Sequence, residues 1–285
     1  MSRQAAVLQS HENEQLSARN FQRLSTFIQD YSGIKMPANK RTMLEGRLRR
    51  RMRATRINDV NAYCRYLFEE NGLDGEAIHL IDAVTTNKTE FFREPAHFDF
   101  LAAKGLPALA AKGKREIKIW SSACSTGAEP YTIAMVLDEF CEKHRNVDYS
   151  ILCTDICTEV LDQAVAGRFS EQMIEPVSMA RRQRYLMRAR DATRNEVRIK
   201  PQLRGKLSFA RLNLMDEAYP IETDLDIIFC RNILIYFDKA TQAKVLTRLC
   251  DHLSPGGYLL LGHSESIVGI DLPVVQIANT VFQKR

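Results

Sequence analysis

From residue 116 onward, short apolar runs alternate with helix-length segments, and this alternation narrows the possible folds more than any other feature. Glu116–Ser121 (EIKIWS), Tyr149–Thr154 (YSILCT), Leu225–Cys230 (LDIIFC) and Tyr258–Gly262 (YLLLG) have the length and composition of buried strands. A helix opens at Glu129-Pro130, where proline is favoured because an N–H in the first turn has no intrahelical partner. Further helices are predicted around Glu159–Val165 and from about Lys239 to Leu253, with a turn at Ser254-Pro-Gly-Gly. Apolar strands alternating with helices imply a mostly parallel sheet covered on both faces. Residues from about 168 to 210 interrupt the alternation with a basic helix (about 178–187). Val197, Ile199, Leu207 and Phe209 then alternate around PQLRG and read as an antiparallel hairpin.

The first 85 residues have helical periodicity instead. Phe21, Leu24, Phe27, Ile28 and Tyr31 repeat at three and four between a Ser17 N-cap and a Gly33 stop. A second helix, about 40–56, aligns Leu44, Leu48 and Met52, which places Arg47, Arg49, Arg50, Arg53 and Arg56 over the opposite, solvent-facing half. Helices at about 59–71 and around Ile78–Val84 complete a small bundle. The expected organisation is therefore a helical domain (1–85) and an α/β domain (86–285) with a β-subdomain inserted at about 168–210.

Apolar residues make up 45% and charged residues 26%, which excludes disordered and low-complexity classes. No 18-residue apolar run and no N-terminal h-region occur, so a cytosolic protein is expected. Seven cysteines scattered through apolar segments fit reduced thiols, and neither they nor the six histidines show a metal-ligand spacing. No metal is expected. Net charge is +5, but Lys35–Arg56 carries +8 and Met179–Arg211 carries +9, so two basic patches stand on an otherwise acidic chain. They suggest docking surfaces for an acidic partner, with solvated helix faces as the alternative.

In an open α/β sheet, ligands bind at the carboxyl ends of the strands. The loop after the first strand, Ser121-Ser-Ala-Cys-Ser-Thr-Gly127, has small residues that admit a ligand to backbone N–H groups, but lacks the GxGxxG fingerprint. Asp155 ends the second strand, as a grip for ribose hydroxyls or as a helix N-cap. Arg231 and Asn232 follow the third strand, Tyr236 is four residues on, and Arg93 follows the Phe91-Phe92 pair. His263-Ser264-Glu265 has no nucleophile elbow to make a triad of it. The sheet, the missing dinucleotide fingerprint and Asp155 together favour S-adenosylmethionine as the ligand. A nucleic-acid methyltransferase and a non-catalytic S-adenosylmethionine-binding module remain as alternatives, although no base-flipping motif is evident.

TNKTEFFRE (86–94), WSSACSTGAEPYTIAM (120–135), Asp155, FCRNILIYFD (229–238) and GGYLLLGHSES (256–266) resemble the chemotaxis receptor glutamate O-methyltransferases, the CheR family. The resemblance runs from about residue 17 to the C-terminus and keeps the order of all the motifs. Ala128 departs from it, since many relatives carry a second acid before Glu129. It implies an all-α N-terminal domain and a Rossmann-like methyltransferase domain with an inserted antiparallel β-subdomain. It implies a cofactor site of Asn87, Thr89, Arg93, Ala123, Glu129, Asp155, Asn213, Leu214, Arg231 and Asn232. Asp155 is assigned to the ribose and Glu129 to the methionyl cation. Arg93 and Tyr236 are assigned to the cofactor carboxylate or the incoming glutamate. The implied products are glutamyl methyl esters on acidic helices of membrane chemoreceptors and S-adenosylhomocysteine. The implied location is the cytoplasm, at receptor arrays, with no nucleic acid and no membrane insertion. The arginine helix is expected to dock receptor. The inserted subdomain, with Arg188, Arg190, Arg194 and Arg198, is a candidate tether for a receptor tail peptide added as a strand.

Overall fold

The computed structural model describes residues 15–188, 191 and 195–285. The chain divides into two units, one running through Thr86 and including Tyr236–Asp238, the other holding Asn87–Ile235 and Lys239–Arg285.

In the smaller unit, α1 (Ala18–Ser32) begins where Ser17 accepts the Asn20 N–H and ends at Gly33, whose φ of 74° suits glycine. Phe21, Leu24 and Ile28 form its buried stripe. The arginine-rich helix α2 spans Arg41–Thr55 and buries only Leu44 and Leu48. Next come α3 (Val60–Glu69), capped by the Asp59 carboxylate on Asn61 and Ala62, and α4 (Leu73–Val84). Arg51, absent from the expected solvent face, forks onto Glu76 at 2.6 and 3.1 Å, and Tyr63 donates to the same carboxylate at 2.9 Å. Burial opposes the Glu76 charge, but hydrogen bonds from Arg51 and Tyr63 prevail and hold its carboxyl below the ordinary range.

Arg47 corrects the expectation that its side chain faces solvent. Its guanidinium donates to the Val84 and Thr85 carbonyls and to Thr86 Oγ1, satisfying carbonyls at the end of α4. Arg49, Arg50, Arg53 and Arg56 are exposed, as expected.

The larger unit opens with α5 (Ala96–Phe100), a π turn (Leu101–Gly105) and α6 (Leu106–Ala111). There follow β1 (Glu116–Ser121), α7 (Ala128–Lys143), β2 (Asp148–Asp155) and α8 (Thr158–Ala166). The insert comprises β3 (Arg168–Ser170), α9 (Met179–Tyr185), β4 (Leu186–Arg188) and β5 (Glu196–Ile199). After it come a single turn α10 (Pro201–Arg204), β6 (Leu207–Arg211), β7 (Leu225–Cys230), α11 (Lys239–His252), β8 (Leu253–Leu261), β9 (Val274–Ala278) and β10 (Val281–Lys284). The seven-stranded sheet has the order β6-β2-β1-β7-β8-β10-β9. β6 through β8 run parallel and β10 is antiparallel to both neighbours. Buried side chains from both faces, among them Ile119, Leu137, Ile151, Ile227 and Leu260, form its core.

The expected hairpin around PQLRG is not formed. Pro201 starts the helical turn α10, and the strand after it, β6, extends the main sheet parallel to β2 with Leu207 opposite Ile151. The antiparallel subdomain is instead the three-stranded sheet β3-β5-β4. Arg190 and Arg194 lie outside the described residues. The SPGG turn is likewise absorbed. Leu253 pairs with Leu225 and Tyr258 with Ile227, so residues 254–257 bulge within β8. Gly257 is required there, because a Cβ would lie 2.9 Å from the Asp226 and Ser254 carbonyl oxygens. The second basic patch is partly neutralised from within. Arg181 pairs with Glu139, and Arg184 with Glu142 and Asp138, all three acids on α7.

Candidate active site

The chain leaves β1 for β2 on one side of the sheet and later returns to β7 on the other, so the strand order reverses between β1 and β7. A reversal of this kind opens a crevice at the carboxyl ends of the two strands. The 121–127 loop lies there and turns through left-handed backbone at Ser125 (φ 49°) and Gly127 (φ 95°). A Cβ on Gly127 would approach Ala164 and Tyr131 to 3.1 Å, so only glycine lets α7 start this close to α8.

Asp155, buried at the end of β2, accepts the Ser125 N–H at 2.8 Å and the Cys157 N–H at 3.0 Å. It is not the N-cap of α8; that position is Cys157, which makes no side-chain cap. Its carboxylate instead ties the two strand-end loops together. Asn87 joins them, its carbonyl accepting from Ser125 Oγ at 2.9 Å and its amide lying 3.6 Å from Cys157 Sγ. Ala123 sits half-buried in the loop, Thr89 is half-buried, and Asn213 and Leu214 are buried after β6.

On the β7 side, Arg231 is a buried hub. Its guanidinium pairs with Glu129 Oε2 at 3.0 Å and Glu94 Oε2 at 2.9 Å, donates to the Arg93 carbonyl, and stands 5.6 Å from the Phe98 ring centre. Glu129 also accepts from Ser121 Oγ at 2.8 Å. Burial pushes its carboxyl up against the pull of Arg231 and Ser121. Glu94 accepts from the Asn232 side chain and the His263 N–H as well. Burial opposes its charge, yet Asn232 and Arg231 prevail and bring its carboxyl to about 2. Asn232 adopts φ 59°, and Glu265 accepts the N–H groups of Asn232, Ile233, Leu234 and Gly262, fixing the turn after β7. The Arg93 side chain donates to the Lys88 carbonyl at 3.0 Å. Tyr236 falls with the smaller unit, where its carbonyl accepts the Lys35 N–H.

The structure thus joins Asn87 and Asp155 on one side of the loop, and Arg93, Glu129, Arg231 and Asn232 on the other. Two residues have organising roles that the sequence alone does not assign: Glu94, and Glu265, which is read there only as a triad member. Both lie inside the quoted motifs, but a buried carboxylate's partners come from distant segments and leave no local periodicity. Thr126 Oγ1 and Arg231 Nε are buried without a protein partner among the described residues. An orphaned guanidinium N–H calls for an acceptor and an orphaned hydroxyl takes either role, so with Asp155 and Glu129 they fit a ligand carrying carboxylate, hydroxyl and amino groups, such as S-adenosylmethionine.

The parallel sheet, its reversal and this crevice define a Rossmann-like S-adenosylmethionine-dependent methyltransferase. Residues 87–282 match the family model "CheR methyltransferase, SAM binding domain", and residues 19–85 match "CheR methyltransferase, all-alpha domain". The chain belongs to the CheR methyltransferase family. It is 37% identical over 262 residues to a chemotaxis protein methyltransferase of Borreliella burgdorferi, covering 90% of this chain and 91% of that one. To the Escherichia coli chemotaxis protein methyltransferase it is 36% identical over 276 residues, covering 97% and 94%. With chemotaxis protein methyltransferase 2 of Pseudomonas aeruginosa, identity is 35% over 263 residues, covering 92% of each.

Proposed function

We propose that this chain methylates glutamate side chains on the acidic cytoplasmic helices of chemoreceptors, yielding glutamyl methyl esters during chemotactic adaptation. The observation that carries this reading is the pairing of a CheR-type chain with two carboxylates, Asp155 at the end of β2 and Glu129 in the first turn of α7 after the β1 loop. When bound, S-adenosylmethionine supplies an electrophilic methyl group on a sulfonium. A glutamate carboxylate, with an ordinary pKa near 4.3, is already ionised at pH 7, so no general base is needed. The protein's work is to orient that weak nucleophile and strip its water.

Asp155 accepts from the cofactor's ribose hydroxyls, and Glu129 favours its amino group while Arg231 holds Glu129 in place. Arg93 holds the cofactor carboxylate or the incoming glutamate; Tyr236, expected to share that role, belongs to the smaller unit. Asn87, Thr89, Ala123, Asn213, Leu214 and Asn232 line the remainder of the site. Arg49, Arg50, Arg53 and Arg56 dock the receptor helix, and Arg47 is withdrawn from that role by its bonds to the end of α4. The enzyme works in the cytoplasm at receptor arrays, and among the described residues no helix is long and apolar enough to cross a membrane. A receptor tail peptide adds as a strand to the β3-β5-β4 sheet. The groove of about 520 Å³ along Arg168, Phe169, Ser170, Asn195 and Glu196 supports that tether.

Radiolabelled S-adenosylmethionine incubated with receptor cytoplasmic fragments should yield base-labile methyl label on receptor and none on RNA or DNA. Label on nucleic acid, or none anywhere, would refute the assignment. Acidic aromatic pentapeptides should bind with measurable heat and compete with receptor; a titration with neither effect would remove the tether.

A further inference from the structure

The larger unit holds a cluster of ligating groups that shares Glu94 with the Arg231 hub. Ligand atoms of Glu94, His97 and His263 lie within 4.8 Å of one another, and the two imidazoles meet edge to face at 5.3 Å. His97 is 1% exposed, and its Nδ1 has no hydrogen-bond partner among the described residues. Its other nitrogen, Nε2, lies 2.9 Å from Thr280 Oγ1, while the Thr280 hydroxyl donates to the Asn279 carbonyl at 2.9 Å. Thr280 engages Nε2, so Nδ1 is the ring nitrogen left to face Glu94 Oε2, at 3.6 Å. In the tautomer that carries its proton on Nε2, Nδ1 offers a lone pair to a cation beside that carboxylate. The same oxygen accepts from Arg231 at 2.9 Å.

His263 completes the set from the solvent side, with Nε2 3.9 Å from the same oxygen and a side chain 42% exposed. Ligand bonds of about 2.0–2.2 Å in a tetrahedral site place neighbouring donors roughly 3.3–3.6 Å apart. The His97–Glu94 pair has that spacing at 3.6 Å, and the exposed His263 would have to move inward to match it. The outer partners are also present. The contact of His97 Nε2 with Thr280, itself bonded to the Asn279 carbonyl, orients the imidazole, as partners of metal-bound histidines do. Arg231, 2.9 Å from the same Glu94 oxygen, opposes a cation, so an ion must share that carboxylate with the guanidinium.

We propose that Glu94, His97 and His263 form a site for a divalent transition-metal ion of the zinc type, with two imidazoles, one carboxylate and an open position toward solvent. No spacing motif announces it, because His263 is far from Glu94 and His97 in sequence. Since Glu94 also holds the Arg231 and Asn232 side chains, an ion there draws on a carboxylate that positions both. Occupancy is thereby coupled to the cofactor crevice, and this coupling alone rests on the methyltransferase reading.

The test uses the full chain with thiols reduced and no cofactor present, titrated with Zn²⁺ by calorimetry and with Co²⁺ by visible absorption. One Zn²⁺ should bind per chain. Co²⁺ should give d–d bands of four- or five-coordination without a sulfur charge-transfer band. Because His97 is buried, His263→Ala carries the mutational arm and should weaken Zn²⁺ binding at least tenfold. Absence of binding, thiolate charge-transfer bands, or unchanged affinity in His263→Ala would each overturn the site. One equivalent of Zn²⁺ should shift S-adenosylmethionine affinity in the parent chain and not in His263→Ala; an equal shift in both, or none, would overturn the coupling.

Discussion

Asp155 accepts the Ser125 and Cys157 N–H groups, so substitution there acts on the loop as well as on a ligand. Asp155→Asn keeps the size and one acceptor oxygen but loses the charge. A charge-assisted hydrogen bond contributes about 1.5–3 kcal/mol, so S-adenosylmethionine binding should weaken roughly ten- to a hundredfold by calorimetry. Asp155→Ala should lower the melting temperature as well, since it strands two buried N–H groups. Unchanged affinity in both variants would confine Asp155 to holding the loop. Glu76 presents the structural counterpart in the other unit. Its pKa is depressed when folded, so its contribution to stability is present above the unfolded value of about 4.3 and is lost as pH falls below it. Glu76→Gln should cost roughly 3–5 kcal/mol at pH 7 by denaturant unfolding, because it leaves Arg51 unpaired. The gap from the parent chain should narrow below about pH 4, and a pH-independent gap would show that packing, not the charge, is what Glu76 supplies.

Within α2, the arginines differ in role although the sequence presents them as one patch. A helical projection of Leu44, Leu48 and Met52 identifies the buried stripe at its first two residues, because burial follows the 3.6-residue period, while Met52 is only half-buried. It cannot tell which arginines find partners, since the Val84 and Thr85 carbonyls and Glu76 come from a different helix. Arg47→Ala should therefore lower the melting temperature of the smaller unit by roughly 10 °C, the equivalent of about 1.5–3 kcal/mol in a unit this small. Arg49→Ala should change it within experimental error, as exposed substitutions do. Equal melting temperatures in the two variants would mean the Arg47 bonds contribute nothing. The same limit explains the misplaced hairpin. Alternation in Val197–Ile199 and Leu207–Phe209 shows that both segments are strands, but partner choice depends on Pro201 starting a helical turn and redirecting the chain. The crevice was legible in outline, because strand-end residues are readable once the strands are. Glu94 and Glu265 were not, since their partners are assembled only in three dimensions.

Across the whole molecule, the net charge of +5 is the residue of larger opposing charges, and the structure shows which are already answered. Arg51 faces Glu76, Arg231 faces Glu94 and Glu129, and Arg181 and Arg184 face the acids of α7. Arg49, Arg53 and Arg56 remain exposed, and Arg49, Arg53 and Arg65 outnumber Glu45 and Asp59 in the lining of a groove of about 750 Å³. A polyanionic helix is attracted to such a surface through solvent, where salt screens strongly, whereas the buried pairs around Arg231 are screened little. The Debye length falls from about 10 Å at 0.1 M salt to about 3 Å at 1 M. Raising salt over that range should therefore raise KM for receptor steeply while S-adenosylmethionine affinity changes little. In Arg49→Glu/Arg53→Glu, KM should already be high at low salt and its salt dependence nearly flat, with cofactor affinity and melting temperature close to the parent's. A double mutant that keeps the parent's KM and salt slope would show that this face is merely solvated and that receptor docks elsewhere.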